Sequence, residues 1–408
     1  MGSKKSLFAW ALGLLSLFGG LELRAQQYYV YVTAESEDEV AIVGFDGKEA
    51  KAVKRIPVGV WPAEIEGPHG ITISPDGAYW YLTMAHGNPY GTLYKYSTET
   101  NTVVGQTTLG LFPATMQISP VTGFLYCVNF NLHGDMVPSS VSVVDPETMT
   151  ELTQITTGAM PHGSRISPDG KHHYSVAMMS GELFEIDGLS LRVSRVLALD
   201  EDEMYHSKMD HSKMDHSKMD HGDEAKMDHN KMDHSKMDHG DATKMDHSQM
   251  DHSKMDHGAM KHSTTKPTWV IPHPTNGKAY VAGNGCDKVL EVDLKSWTIT
   301  NRFTTGKGPY NVEITPDGNK MVVTYKSEGA TGIWDLTTGK ELAKITNSRK
   351  VSHGVALASD SRYAFISVEG IGGEPGAVDV IDLQSLDLVS TAEVGKQAGG
   401  IAFWKIEP

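Results

Sequence analysis

The stretch Pro68-His69-Gly70-Ile71-Thr72-Ile73-Ser74-Pro75-Asp76-Gly77 recurs along the chain and decides its fold. It returns as Pro161-His162-Gly163-Ser164-Arg165-Ile166-Ser167-Pro168-Asp169-Gly170 and as Pro309-Tyr310-Asn311-Val312-Glu313-Ile314-Thr315-Pro316-Asp317-Gly318. Weaker copies end at Gly123, Gly277 and Ser361. Apart from one interval that holds an insert, the copies follow at intervals of about 40–50 residues, a period typical of propeller blades.

Each repeat unit predicts four short β-strands. The repeated phrase is strand a, closed by a Pro-Asp-Gly turn. Strand b is an alternating aromatic and β-branched run such as Tyr79-Trp80-Tyr81-Leu82-Thr83, and strand c ends in an acidic turn, as in Val143-Val144-Asp145. Strand d leads to Thr-Gly or Val-Gly before the next phrase. Many short strands at regular spacing, without a long helical pattern, predict an all-β fold.

The two ends of the chain predict a closed ring. Residues 28–45 match strands b and c with no strand a before them, and Ala398-Gly399-Gly400-Ile401-Ala402-Phe403 matches a strand a with nothing after it. Together they make one blade beside the six complete units. The sequence therefore predicts a seven-bladed β-propeller of four-stranded blades, closed by pairing N-terminal and C-terminal strands in one blade.

The repeats also resemble a known family. The Pro-His-Gly…Ser-Pro-Asp-Gly phrase and b strands such as Tyr280-Val281-Ala282 resemble the YVTN-type seven-bladed β-propellers of exported bacterial and archaeal proteins. The resemblance covers about residues 26–203 and 263–408. It implies the propeller fold and no particular reaction, because a fold alone does not determine function.

The N-terminal segment predicts export. Lys4 and Lys5 precede an apolar run over residues 7–21, and Ala25 offers a small residue for cleavage. Residues 1–25 are therefore expected to be a signal peptide, with an uncleaved membrane anchor as the alternative. Either places the body outside the cytoplasm, in the periplasm or secreted. No other segment approaches the ~20 apolar residues of a membrane span.

Composition excludes several classes of protein. The 408 residues carry 36 Lys and Arg against 51 Asp and Glu, for a formal net charge of −15, which argues against a nucleic-acid partner. Two cysteines cannot build a disulfide framework. No phosphate loop, haem-attachment motif or nucleophile elbow is present, so no organic cofactor is expected.

Residues 204–262 form a low-complexity insert between two blades. Met-Asp-His occurs nine times, usually separated by Ser-Lys. A period of five residues matches neither a helix nor a strand, and almost no aliphatic side chain is available for burial. The insert is therefore expected to be disordered without a ligand.

The insert carries metal-binding chemistry. Thioethers prefer Cu(I), and imidazoles bind Cu(I), Cu(II), Ni(II) and Zn(II), so the mixture favours copper. The segment resembles the Met/His-rich tracts of periplasmic copper- and silver-resistance proteins. A passive repeat expansion is the alternative, since loops accept insertions. The candidate metal ligands are Met209, His211, Met214, His216, Met219, His221, Met227, His229, Met232, His234, Met237, His239, Met245, His247, Met250, His252, Met255 and His257.

A second set of candidate ligands comes from the strand a phrases. Aligned on their closing turns, the phrases place His69, Thr115, His162, Trp269, Tyr310, His353 and about Gly399 at one position. Strand a lines the channel of a propeller, so these side chains are expected at its mouth. His69, His162 and His353, with His86 from a nearby loop, could share a copper or zinc ion. The alternative is that these residues cap the local turn.

Other chemistry-bearing residues predict simpler roles. His133, Met136 and Cys286 fall in loops on the same face as the mouth, whereas His172, His173 and His273 are expected near the opposite face as structural residues. Cys127 is expected to be a small buried residue without a disulfide to Cys286.

Three functions fit these patterns. The first is an exported propeller that buffers or sequesters copper through the insert. The second is a copper-dependent oxidoreductase or a hydrolase that uses the His/Tyr site at the mouth. The third is a scaffold for other periplasmic proteins, with a passive insert. The first is favoured, which makes a non-enzymatic, monomeric, metal-binding protein the expectation.

Overall fold

The computed structural model describes residues 26–61, 63–87, 89–200 and 262–408, which form seven four-stranded antiparallel sheets. The all-β, seven-bladed prediction is confirmed. Blade 1 contains β1 (Gln27–Ala34), β2 (Glu39–Phe45), β3 (Ala50–Pro57) and β28 (Ala398–Glu407), and a short 3-10 helix (Glu35–Glu37) follows β1. Blade 2 contains β4 (Pro68–Ile73), β5 (Tyr79–Met84), β6 (Thr92–Ser97) and β7 (Val103–Thr108).

The other blades repeat this order of strands. Blade 3 contains β8 (Pro113–Ile118), β9 (Leu125–Asn129), β10 (Pro138–Asp145) and β11 (Thr150–Ala159), and blade 4 contains β12 (Pro161–Ile166), β13 (His172–Ala177), β14 (Glu182–Asp187) and β15 (Arg192–Ala198). Blade 5 contains β16 (Pro267–Pro272), β17 (Lys278–Gly283), β18 (Lys288–Asp293) and β19 (Thr298–Thr304). Blade 6 contains β20 (Pro309–Ile314), β21 (Lys320–Tyr325), β22 (Ala330–Asp335) and β23 (Lys340–Thr346), and blade 7 contains β24 (Val351–Leu357), β25 (Tyr363–Glu369), β26 (Ala377–Asp382) and β27 (Asp387–Glu393).

The ring closes through blade 1. Strand β1 pairs with β2 on one side and with β28 on the other, where Tyr31 lies opposite Ala402. The prediction that the two chain ends share one blade is therefore confirmed. Closure also pairs the edge of β1 that would otherwise carry unpaired backbone groups.

The hydrophobic core lies between neighbouring blades. Tyr31 of blade 1 contacts Trp80 of blade 2 at a ring-centroid distance of 5.3 Å, and Trp80 in turn stacks on Tyr96 at 3.9 Å. Tyr31 and Trp80 are fully buried, and each buried aromatic side chain of this kind contributes roughly 1.5–3 kcal/mol. The alternating pattern of each b strand thus supplies the contacts that join one blade to the next.

Glycine at the third position of the repeated phrase lets adjacent strands a approach closely. A Cβ atom on Gly70 would overlap the backbone carbonyl of Ala114 in the next blade, and one on Gly400 would overlap the carbonyl of His69. Glycine therefore serves backbone approach at these positions. This explains why the third residue of the phrase is glycine in these two blades.

The strand register corrects two of the aligned positions. Pro68 pairs with Met84, and its counterparts Pro113 and Pro267 make the same kind of pair, so the residues equivalent to His69 are Ala114 and Thr268. The prediction that Thr115 and Trp269 occupy the His69 position is wrong by one residue. The closing turns of these blades have the same length as that of blade 2, since Ser119 N bonds to Phe124 O as Ser74 N bonds to Tyr79 O. The glycine lies one position later in the turn: Gly123 N–H bonds four residues back, whereas Gly77 N–H bonds three back.

Acidic residues at the c-to-d turns are structural. Asp187, Asp293 and Asp335 each accept hydrogen bonds from the backbone two or three residues ahead, which fixes the turn. The chain leaves blade 4 at Asp200, whose carboxylate accepts hydrogen bonds from Ser263 Oγ and Thr265 N, both at 2.8 Å. The predicted interruption between two blades is thus confirmed, with both of its flanks tied to the propeller.

Two predicted segments lie outside the described residues, namely the signal peptide over 1–25 and residues 204–261 of the Met-Asp-His insert. Within the part of the chain that is described, no helix has the length and apolarity needed to cross a membrane.

Candidate functional site

Four strand a side chains from different blades meet at one end of the channel. They are His69 of blade 2, His162 of blade 4, Tyr310 of blade 6 and His353 of blade 7. Ring centroids lie 4.7 Å apart for Tyr310 and His353 and 6.4 Å apart for His69 and His353. The predicted convergence of these four residues at the channel mouth is confirmed.

His162 uses both of its ring nitrogens. Nδ1 lies 2.8 Å from the backbone carbonyl of Thr268, which can only accept, so Nδ1 carries the proton. Nε2 therefore accepts the hydrogen bond of the Tyr310 hydroxyl at 2.8 Å. Burial lowers the pKa of His162 to about 3, so the ring is neutral at physiological pH.

Glu35 joins two histidines on the opposite side of the mouth. Its Oε2 lies 2.9 Å from His69 Nδ1, and its Oε1 lies 2.8 Å from His86 Nε2. Burial alone would raise the pKa of Glu35, but the two imidazoles outweigh it and hold the pKa well below its usual range. The hydrogen bond between Glu35 and His86 raises the pKa of His86, whereas burial of the imidazole lowers it.

Lys326 and Glu369 complete the mouth. The Lys326 ammonium lies 4.1 Å from the ring centroid of Tyr310 and 3.6 Å from Glu369 Oε1, which is 3.8 Å from His353 Nε2. Burial would lower the pKa of Lys326, but Tyr310 and Glu369 raise it. Burial raises the pKa of Glu369, and burial followed by the charge of Lys326 holds the pKa of His353 well below its usual value.

Glu35, Lys326 and Glu369 occupy one repeat position that the sequence reasoning missed. Each directly follows the strand b residue that pairs with the first residue of the blade's phrase. Blades 2, 3 and 4 carry apolar residues there, namely Ala85, Phe130 and Met178. A comparison of the repeats at this position would have revealed the three charged residues of blades 1, 6 and 7. We call these three residues, with His69, His86, His162, Tyr310 and His353, the mouth cluster.

The metal site predicted for His69, His86, His162 and His353 stays a prediction. In the described ranges, no group of three or more His, Cys, Asp or Glu side chains is placed to hold a metal ion. His162 is engaged by Thr268 and Tyr310, so it would have to give up a hydrogen bond to act as a ligand. The ligands predicted in the Met-Asp-His insert lie outside the described residues.

The remaining candidates are mostly structural. His133 lies beside Phe112 and His86, with ring-centroid distances of 5.5 Å and 6.5 Å. His173 is fully buried and stacks on Tyr126 at 4.7 Å, and burial lowers its pKa to about 3. His273 lies 2.9 Å from the carbonyl of Gly318. Cys127 is buried, and no disulfide joins it to Cys286, as predicted.

A cavity of about 350 Å³ runs along the channel below the mouth cluster. His69, His162 and His353 line its upper end. On its wall, Arg165 of blade 4 pairs with Glu313 of blade 6, and its guanidinium lies 4.5 Å from the ring centroid of Trp269. Burial raises the pKa of Glu313, and Arg165 opposes this. The side chain of Trp269 therefore lies deeper in the channel than the mouth position predicted for it.

Solved structures show similar propellers. A hydrazine synthase structure from Kuenenia stuttgartiensis matches with a TM-score of 0.54 and 18% identity, over 80% of this chain and 81% of that chain. A functionally unknown protein from Desulfotomaculum acetoxidans matches with a TM-score of 0.62 and 13% identity, over 92% and 98%. A candidate 6-phosphogluconolactonase from Bacteroides uniformis matches with a TM-score of 0.60 and 10% identity, over 92% and 99%. At these identities, the likeness shows the fold alone.

The search of curated proteins gives no match. Residues 101–401 match the family model described as YNCE-like beta-propeller. The matched range begins before the last strand of blade 2, spans blades 3 to 7 and reaches into the closing strand of blade 1. This match covers most of the chain and agrees with the propeller fold. The chain belongs to the YNCE-like β-propeller family.

Proposed function

We propose that the protein is an exported β-propeller that binds copper through residues 204–262, for buffering, sequestration or resistance. One observation carries the proposal: Met-Asp-His occurs nine times in a single insert. Each copy brings a thioether, a carboxylate and an imidazole together, a donor set that accepts both Cu(I) and Cu(II).

The position of the insert supports this role. The described residues form all seven blades without it, and its flanks are held by hydrogen bonds between Asp200 and Ser263. Because the described residues complete the ring, the composition of the insert is free to be selected for ligand content. The signal peptide proposed for residues 1–25 would place the protein in the periplasm or outside the cell.

The mouth cluster supports a second candidate, an enzyme. It gathers several groups with shifted pKa values, including Glu35, Lys326 and His353, in one partly buried place. Such clusters are more frequent at catalytic sites than elsewhere. A copper-dependent oxidoreductase or a hydrolase would use this face, and it would require the mouth cluster rather than the insert.

Metal content distinguishes the two candidates. Three proteins are loaded with copper and desalted. They are the full-length protein, a variant lacking residues 204–261, and a variant of unchanged length in which Gln replaces every Met and His of the insert. Copper is then measured per chain. We expect several ions in the full-length protein and none in the two variants.

Two other outcomes would reject the copper-binding insert. One tight ion in each of the three proteins, lost in His69→Ala, would favour the enzyme. Absence of copper from all three proteins would leave the third alternative, a scaffold with a passive insert. The variant of unchanged length separates the loss of ligands from the loss of the segment itself.

A further inference from the structure

The central cavity presents polar groups that the fold does not require. The third residue of the repeated phrase lines this cavity in blades 1, 2, 3, 5, 6 and 7. It is glycine in blades 1, 2, 4 and 7, but Thr115, Trp269 and Asn311 in blades 3, 5 and 6. Gly70 and Gly400 show that the backbone needs no side chain here. An amide at Asn311 is therefore an addition to the common blade design.

Asn311 carries an unused acceptor. The residue is only 3% exposed and lines the cavity, and none of the described residues donates a hydrogen bond to its Oδ1. Its backbone N–H is already bound to Thr324 Oγ1 at 3.0 Å. Buried amide oxygens are almost always paired, so an unpaired one indicates a water or ligand donor.

Arg165 and Gln117 add donors to the same wall. The Arg165 guanidinium has five N–H groups. One donates to the carbonyl of Ser164 and one to Glu313, so others can donate to a ligand. Gln117 accepts the N–H of Ile166 through Oε1, so its amide NH₂ also remains. Both side chains line the cavity.

The charge of this wall is balanced. Among the lining residues, the Asp, Glu, Lys and Arg side chains are only Arg165 and Glu313, and these two form an ion pair. His162 and His353 at the upper end are neutral because burial lowers their pKa values. A charged ligand would have to compete with the ion pair, so the wall favours an uncharged molecule.

The opposite wall is apolar. Val355, Leu357, Ile401 and Phe403 line it. Leu357 and Phe403 are partly exposed, whereas His162 and His353 at the upper end are buried. Entry is therefore easiest from the end away from the mouth cluster. The volume of about 350 Å³ suits a ligand of monosaccharide size.

We propose that the central channel binds an uncharged polyhydroxylated molecule of sugar size. One hydroxyl donates to Asn311 Oδ1, others accept from Arg165 and Gln117, and the C–H face packs against the apolar wall. Hydroxyl groups suit the site because each can both donate and accept. All residues that line this site lie outside the insert in sequence, so the proposal does not rest on copper binding.

Calorimetric titration of the full-length protein with glucose, gluconate and glucosamine tests the proposal. The three probes have similar size but differ in charge. We expect glucose to bind at one site per chain, with both charged probes at least about tenfold weaker. Asn311→Gly should weaken glucose binding by about tenfold or more, whereas Asn319→Gly, in an exposed turn of the same blade, should leave it unchanged.

Several results would overturn the proposal. Absence of glucose binding to the wild-type protein would mean that the cavity holds only water. Tighter binding of gluconate would make it an anion site, and equal glucose binding by Asn311→Gly would place the sugar elsewhere. The comparison of the three probes uses wild-type protein, so it does not depend on the folding of any variant.

Discussion

The hydroxyl of Tyr310 donates a hydrogen bond to Nε2 of His162 at 2.8 Å, although Tyr310 belongs to blade 6 and His162 to blade 4. Blade 5 lies between them, and its Thr268 accepts the hydrogen bond from Nδ1 of the same imidazole. One histidine thus links three blades at the channel mouth. Its tautomer follows from the backbone carbonyl rather than from any ligand.

Removal of the Tyr310 hydroxyl should weaken the ring. In Tyr310→Phe, Nε2 of the buried His162 loses its donor, and an unpaired buried acceptor costs about 1–3 kcal/mol. We expect the free energy of unfolding in urea to fall by that amount. Tyr90→Phe is the control, because Tyr90 is 61% exposed. Equal stabilities of the two variants would contradict the assigned role of this hydrogen bond.

The close approach of strands a can be tested at Gly70. In Gly70→Ala, the new Cβ would overlap the carbonyl of Ala114, so two blades must separate. We expect a loss of about 1–3 kcal/mol in the free energy of unfolding, in the range for overpacked sites. Gly373→Ala should change little, since nothing lies within 4 Å of its added Cβ. A stable Gly70→Ala protein would show that the ring can widen freely.

Acid sensitivity should arise in part from His173. Burial lowers its pKa from 6.5 to about 3 in the folded protein, so the unfolded chain binds the proton more readily between these values. The stability that neutral His173 preserves is complete above about pH 6.5 and is lost as pH falls toward the folded pKa. Between about pH 7 and pH 5, the loss amounts to about 2 kcal/mol.

The variant His173→Phe should remove this dependence, since phenylalanine keeps the stacking on Tyr126 without a titrating group. Chemical unfolding at several pH values measures the difference. We expect the stability of the variant relative to wild type to increase as pH falls from about 7 to 5. Parallel pH profiles would mean that His173 is hydrated or otherwise stabilised in its charged form.

Glu35 should control the ionisation of His86. Its carboxylate raises the pKa of His86, so Glu35→Gln is expected to lower it, as measured by NMR titration of the imidazole. The stabilising pair is fully formed below pH 6.5 and is lost as pH rises through the folded pKa of His86. The variant should therefore lose more stability at about pH 6 than at about pH 9.

Glu37→Gln provides the control for this titration. Glu37 lies in the same short helix as Glu35, but it contacts Lys396 instead, at 3.4 Å. Its substitution should leave the pKa of His86 in place. If both variants shifted His86 equally, a general change in surface charge rather than the specific contact would explain the effect.

The sequence was sufficient for the parts of the fold that repeat. The phrase around His69 recurs with its turn, so the number of blades, the closure and the position of the channel mouth all followed from spacing. Alignment on the turn glycines failed at Thr115 and Trp269, because the glycine lies one position later in a turn of unchanged length. The hydrogen-bond register between strands shows which residues are equivalent, whereas an alignment of the repeats on their turns does not.

The chemistry of the site was only half visible. His69, His162, Tyr310 and His353 stand in the repeated phrase, whereas Glu35 and Lys326 stand at a position that is apolar in several blades. A charged residue at a position that is apolar in other blades can be recognised only when the equivalent residues of those blades are known. The pairing of Tyr310 with His162 was equally hidden, because it depends on distances across a channel.

The pairing of β1 with β28 also determines when the ring can close during synthesis of the chain. The closing strand comprises the ten residues Ala398–Glu407, so a ribosome must release the chain through all seven blades before the ring can be completed. Joining such distant segments carries a large entropic cost and is slow. For the export that we propose, this delay is useful: the newly made chain remains open, and a translocation channel can still thread it.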